Sequence, residues 1–183
     1  MELLRVQKLN KVSQLMISRW DKEYKDSENY ADILNYVCAG GVASLLKEMT
    51  NIRFLHNDEV EYVYTLNGIL GNVYAFSCMM MSEDYEVDNG RELYVQSIVV
   101  HPKYQGKGYG YKMLSTILSN PEKYLGEAPT NVRALIDKKN EHSFRLFNKL
   151  AEPIKTESVL CAKLITMDYD AISDNLSKEH EKE

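Results

Sequence analysis

The sequence predicts a mixed α/β (α+β) domain, with a mixed sheet of about six to seven strands flanked by helices. Three observations carry this. Segments with the two-residue period of strands and segments with the 3.6-residue period of helices are interleaved along the chain. Two strand-like runs meet at Asn67-Gly68, a hairpin signal. Residues 93–118, LYVQSIVVHPKYQGKGYGYKMLSTIL, run from an apolar, Gly-free strand pattern through a glycine string into a helical apolar face.

The elements follow in order. Residues 3–9 read as a short first strand. Asn10 precedes a helical pattern in which Val12, Leu15, Met16 and Trp20 share a face. Residues 21–28 are densely charged and read as a solvated helix end and loop. A second helical segment follows, with Ile33, Leu34 and Val37 on one face, then Val42, Leu45, Leu46 and Met49. Gly40-Gly41 breaks it, since two glycines cost a helix interior about 2 kcal/mol relative to alanine. The break is either a helix–helix turn or a place where a substrate approaches.

Val60, Tyr62, Tyr64 and Leu66 alternate along a strand. Residues 69–81 return from the hairpin, with a bulge expected at Gly71. The polar stretch 82–90 carries Glu83, Asp84, Glu86 and Asp88, which either solvate a loop or line an entrance. After the central strand, Met113, Leu114, Ile117 and Leu118 form a helix face that Ser119-Asn120-Pro121 ends. Residues 121–130 read as a connection, 132–136 as a strand, 140–150 as a helix and 158–167 as a last apolar strand. The expected organisation is a single domain over 1–170 and a charged, disordered tail over 171–183.

A chain of 183 residues suits one sizeable core. The formal net charge of −5 argues against general nucleic-acid binding, which rests on neutralising phosphates. Cys38, Cys78 and Cys161 are an odd, widely spaced set and read as buried free thiols. No His or Cys cluster suggests a metal. The first ten residues lack the apolar core of a signal peptide, and the apolar run at 68–81 is too short and interrupted to span a bilayer. These points lead to the expectation of a cytoplasmic protein without membrane or nucleic-acid partners.

The glycine string has its own chemistry. The first N–H groups of a helix lack intrahelical acceptors, and the helix dipole adds positive potential there. Glycines remove the Cβ atoms that would hold a ligand away from those donors. Gly106, Gly108 and Gly110 at a strand–helix junction therefore make an anion cradle, suited to phosphate or pyrophosphate. A P-loop would need Gly at 101 and Ser or Thr at 108, where this chain has His101 and Gly108. A dinucleotide fingerprint would need Gly where Tyr111 stands.

The string Ile98-Val99-Val100, Pro102-Lys103-Tyr104 and Gln105-Gly106-Lys107-Gly108-Tyr109-Gly110 resembles the acetyl-CoA-binding motif of the GNAT family of N-acetyltransferases. In that family a Val-rich strand leads through Pro-x-Tyr into Gln/Arg-x-x-Gly-x-Gly/Ala. A second segment is also similar, with Asn140, Ser143, Leu146 and Lys149 falling where the family has Asn, a small residue, Leu and Lys. The resemblance implies a strongly twisted GNAT-type sheet and a single domain that uses acetyl-CoA to acetylate a primary amine, as a monomer or homodimer. It implies that Gln105, Gly106, Lys107, Gly108, Tyr109 and Gly110 hold the pyrophosphate and that the pantetheine runs beside Ile98, Val99 and Val100. It also implies a cofactor contact at Asn140, which suits a helix N-cap equally well.

Two positions depart from the pattern. Phe147 stands where many members have the Tyr that protonates the leaving thiolate, and Ala151-Glu152 replaces Gly-Phe. In the implied reaction a neutral amine attacks the thioester directly, and a backbone N–H near Val99 or Val100 stabilises the oxyanion. With period-two alternation, Glu92, Tyr94, Gln96, Ile98 and Val100 share one strand face. On it Glu92 is a candidate base and Tyr94 a candidate polar partner, at the position where some members carry Glu. Asp137 and Glu141 are further possibilities. Phe147 keeps open a second reading, a CoA-binding or interaction module without acetyl transfer.

Overall fold

The computed structural model describes residues 4–17, 19–20, 60–68, 70–84 and 86–181. The helical segment expected around 27–49, with its Gly40-Gly41 break, and Cys38 lie outside these residues. Strands β1 (Arg5–Lys8), β2 (Val60–Asn67), β3 (Val73–Asp84), β4 (Gly90–Val100), β5 (Asn131–Asp137), β6 (Lys155–Val159) and β7 (Ala162–Asp168) form one seven-stranded sheet. Its order is β1-β2-β3-β4-β5-β7-β6. All neighbours pair antiparallel except β4 and β5, which are parallel. A parallel pair needs a long crossover. Helices α2 (Tyr109–Leu118) and α3 (Pro121–Leu125) supply it. The remaining α-helices among the described residues are α1 (Lys11–Ile17), α4 (Glu141–Leu150) and α5 (Tyr169–His180).

The two sheet faces bury separate apolar clusters. On one, Leu93 and Val95 of β4 pack with Met113, Leu114, Ile117 and Leu118 of α2, Phe147 and Leu150 of α4, and Ile172 and Leu176 of α5. Each such side chain contributes about 1.5–3 kcal/mol on burial. On the other face, Ile17 and Trp20 cover Val73, Phe76 and Cys78. The α1 start is as expected: the Oδ1 of Asn10 accepts from the Ser13 N–H at 2.9 Å, an N-cap.

Four expectations are corrected. Gly71 does not bulge a strand; it lies in the hairpin turn with φ 80°, and the bulge falls between Leu66 and Asn67. Residues 158–167 are not one strand but the β6–β7 hairpin turning at Leu160-Cys161. Leu160 takes φ 48°, a conformation usually announced by Gly or Asn, so the turn carried no signal. Cys161 in this turn is exposed, unlike the buried Cys78. The tail expected to be disordered is helix α5. Its Tyr169, Ile172 and Leu176 recur at helical spacing and are 9%, 0% and 3% exposed, enough to dock an otherwise charged segment.

Three tyrosines cross-link the elements, two joining β2 to α3 and one joining α5 to α2. Tyr62 donates to Leu125 O at 2.5 Å, Tyr64 to Tyr124 O, and Tyr169 to Leu118 O at 2.9 Å. Burial pushes all three phenols above their ordinary pKa of 10.0. A raised folded-state pKa gives stability that is complete below the unfolded value and lost as pH climbs through the folded one. The melting temperature is therefore expected to fall above about pH 10, and Tyr64→Phe to flatten that fall. A fall of equal steepness in the variant would contradict the assignment.

Candidate cofactor and active site

The sheet opens at its centre. Strands β4 and β5 pair only through Glu92↔Asn131, Leu93↔Val132 and Tyr94↔Arg133. Beyond that point β4 continues to Val100 and β5 to Asp137 without pairing each other. A bulge in β4 accompanies the parting. Cys78 pairs Ser97 and Met79 pairs Val95, which leaves Gln96 as the extra residue. Its Oε1 accepts from the Cys78 thiol at 2.9 Å.

The bulge corrects the one-face expectation for β4. Leu93 and Val95 face the α2 side, and beyond the bulge so do Ile98 and Val100, while Val99 packs on the other face. Glu92 and Tyr94 pair Ser82 and Met80, and Val99 pairs Phe76, so these three side chains share the face opposite α2. An inserted residue reverses the phase of alternation, which a period-two reading cannot foresee.

Main-chain direction follows from one hydrogen bond. His101 N–H donates to Tyr74 O of β3 at 2.8 Å. Alternation then turns the Val99 main chain toward β3 as well, and turns Ile98 and Val100 toward the opening. Of the main chains at Val99 and Val100, where an oxyanion donor is expected, the first therefore turns to β3 and the second, with that of Ile98, to the opening.

The cradle follows directly. Its chain makes a 3₁₀ turn at Pro102–Tyr104, and the Nδ1 of His101 caps that turn by accepting from Lys103 N–H at 3.2 Å. Gln105 Nε2 reaches back to Val100 O at 3.4 Å. Gly106 and Gly108 have φ 72° and 78°, and a Cβ added at either would meet nothing within 4 Å. Gly108 is the N-cap of α2, with no side-chain cap, and the first helical bond runs from Lys112 N–H to Gly108 O at 2.9 Å. Gly110 is of another kind. A Cβ there would lie 2.8 Å from Leu146 Cδ1, so this glycine lets α2 approach α4 and β4. Sequence reasoning missed the floor of the cradle, where Tyr74 stacks on Tyr109 at 4.8 Å and meets Tyr104 edge-on at 4.4 Å. A pocket of about 370 Å³ beside α2 is lined by Lys107, Gly108, Tyr109, Tyr111, Lys112 and Lys149, among others.

Within the paired stretch, just before the strands part, Arg133 of β5 donates to Glu92 Oε2 at 2.7 Å. That bond, first among several influences, raises the Arg133 pKa and keeps the guanidinium charged. Of the acidic residues before β4, Asp84 is buried and accepts from Asn131 Nδ2 at 2.7 Å, and Glu86 lies 3.0 Å from Lys155. Both are tied into the fold. Asn140 caps α4 by accepting from Ser143 N–H at 3.0 Å.

A family model described as the acetyltransferase (GNAT) family matches residues 16–151. The chain belongs to the GNAT family of acetyltransferases. Among solved structures it is similar to an uncharacterised protein from Bacillus halodurans, at 15% identity and TM-score 0.67, covering 97% of this chain and 90% of that one. It is also similar to spermidine N-acetyltransferase from Vibrio cholerae in complex with CoA and spermine, at 14% identity and TM-score 0.61, covering 92% and 97%. The ribosomal-protein-S18-alanine N-acetyltransferase from Escherichia coli matches at 13% identity and TM-score 0.53, covering 90% and 92%. These likenesses bear on the fold. No curated protein matches the sequence.

In this GNAT chain Phe147 is 2% exposed and belongs to the core, so the position offers no proton. Among the described residues no helix is long and apolar enough to cross a membrane.

Proposed function

We propose that the protein is an acetyl-CoA-dependent N-acetyltransferase that moves the acetyl group to a primary amine by direct attack. The parting of β4 from β5 beside an open glycine cradle carries this reading. The cradle supplies backbone donors of the right polarity for a pyrophosphate at Gln105 to Gly110. The wedge is bordered by the strand-like main chain of Ile98 and Val100, whose direction suits the amides of an extended pantetheine arm. Asn140 lies at the N-terminus of α4 beyond the other lip of the wedge.

Three tasks follow for the residues of the chain. The main-chain N–H of Ile98 or Val100 stabilises the thioester oxygen as it gains charge. Tyr94 and Glu92 lie on the acceptor face and are the candidates to guide the amine and receive its proton, directly or through water. The leaving thiolate takes its proton from water, since Phe147 has none to give. A thiol of pKa about 8.5 leaves well enough for this. Named relatives in structure acetylate spermidine and a ribosomal-protein alanine, so a polyamine and a peptide α-amine are the first acceptors to try. The reading has the protein working in the cytoplasm as a monomer or homodimer.

Calorimetry with CoA and a CoA-release assay across amines test the proposal. Binding with turnover of at least one amine is the expected result, and absence of binding sinks it. Binding without turnover favours the second reading, a CoA-binding module, which Phe147 supports.

Glu92→Gln separates its possible roles. Its Oε2 already serves Arg133, so a positioning role is expected, with kcat/KM falling less than tenfold. A general base is worth about 10²–10⁴-fold. A fall of that size, with loss of the acidic limb of the pH profile, would assign the proton to Glu92.

A further inference from the structure

Helix α5 lies beyond the segment that matches the family model, which ends at residue 151. Docking of Ile172 and Leu176 carries its last turn to the rim of the cradle. There Glu179 Oε2 accepts from the Tyr111 hydroxyl at 2.6 Å, and Oε1 lies 3.7 Å from Lys149 Nζ. Lys149 Nζ also stands 3.6 Å from the centre of the Tyr111 ring. Tyr111 is in the first turn of α2, and Glu179, Lys149 and Tyr111 line the same pocket of about 370 Å³ as Lys107, Gly108 and Lys112.

The charges in this pocket are three ammonium groups and one carboxylate. A carboxylate in the last turn of a helix faces the negative end of its own dipole. Its bond to Lys149 is a half-exposed ion pair, which is weak and screened by salt. Glu179 is thus held at the cradle by interactions that a stronger anion displaces at small cost. Burial, and then the bond to Glu179, raise the Tyr111 pKa, so its hydroxyl stays a donor for whichever anion is present.

We infer that Glu179 is an internal competitor for the cradle: its carboxylate holds Lys149 and Tyr111, and a phosphoryl group of an entering CoA-type ligand takes over both donors. The inference rests on the cofactor reading above. It makes α5 an attached brake on cofactor binding, placed outside the matched family segment.

Glu179→Gln tests it, because glutamine keeps an acceptor for Tyr111 and removes the charge. Calorimetry with CoA at low salt is expected to give about three- to tenfold tighter binding than the unaltered protein, the gain shrinking as salt rises. In a Lys149→Met background the same substitution is expected to give no gain, because the two residues act as one unit. Equal or weaker binding by Glu179→Gln, in a protein that does bind CoA, overturns the competitor role. So does a gain that survives undiminished in the Lys149→Met background. If neither the unaltered protein nor the variant binds CoA, the cofactor reading fails and takes this inference with it.

Discussion

Gly108→Glu is expected to weaken CoA binding by at least about a hundredfold while leaving a folded protein. Two effects combine at this residue. Its φ of 78° is left-handed, where a side chain costs about 1–2 kcal/mol. At about 2–4 °C per kcal/mol for a chain of this length, the melting temperature falls by a few degrees. The added Cβ meets nothing within 4 Å, so the fold has room for it, but the carboxylate stands at the uncapped N-terminus of α2. A negative charge there occupies the donors proposed to hold the phosphate and repels it. Losing two charge-assisted hydrogen bonds, at about 1.5–3 kcal/mol each, accounts for about two to four powers of ten. Calorimetry beside a thermal melt separates the two effects. Gly110→Ala is the contrast: its Cβ presses on Leu146, so it is expected to shift melting and leave affinity within about threefold. Unchanged affinity in Gly108→Glu would remove the cradle from the site.

Ending the chain at Asp168 is expected to have the largest effect on stability. It removes α5, with Tyr169, Ile172 and Leu176 all at or below 9% exposure. At about 1.5–3 kcal/mol each, their burial approaches the whole stability of a typical domain, about 5–15 kcal/mol. Two bonds to the helical layer go as well, from Tyr169 to Leu118 O and from Asn175 Nδ2 to Leu150 O at 3.1 Å. The shortened protein is expected to be insoluble or to melt more than about 10 °C lower. Ile172→Asp, which buries a charge in the same place, is expected to act in the same direction. A tail that contributed nothing would leave the melting temperature unchanged in both.

Much of the fold was legible because it depends on local patterns. The Asn67-Gly68 hairpin, the helix start after Asn10, the Asn140 cap and the α2 face are each set within a few residues, by turn chemistry, capping and period. Helix α5 was missed because its stripe is only three apolar residues among charges, and such a stripe means nothing until a sheet and two helices wait for it. The Leu160 turn was missed because its sequence names no residue that favours positive φ.

By itself the sequence determined the family and the cradle, since glycine at 106 and 108 before a helix is a statement about backbone, and backbone conformation is local. Tertiary structure alone decided which groups reach the wedge. The β4 bulge reverses side-chain phase after Gln96, main-chain alternation selects Ile98 and Val100, Arg133 claims Glu92, and Glu179 arrives at the cradle from 68 residues beyond Tyr111. Each of these depends on pairing between distant segments, which no periodicity within one segment records.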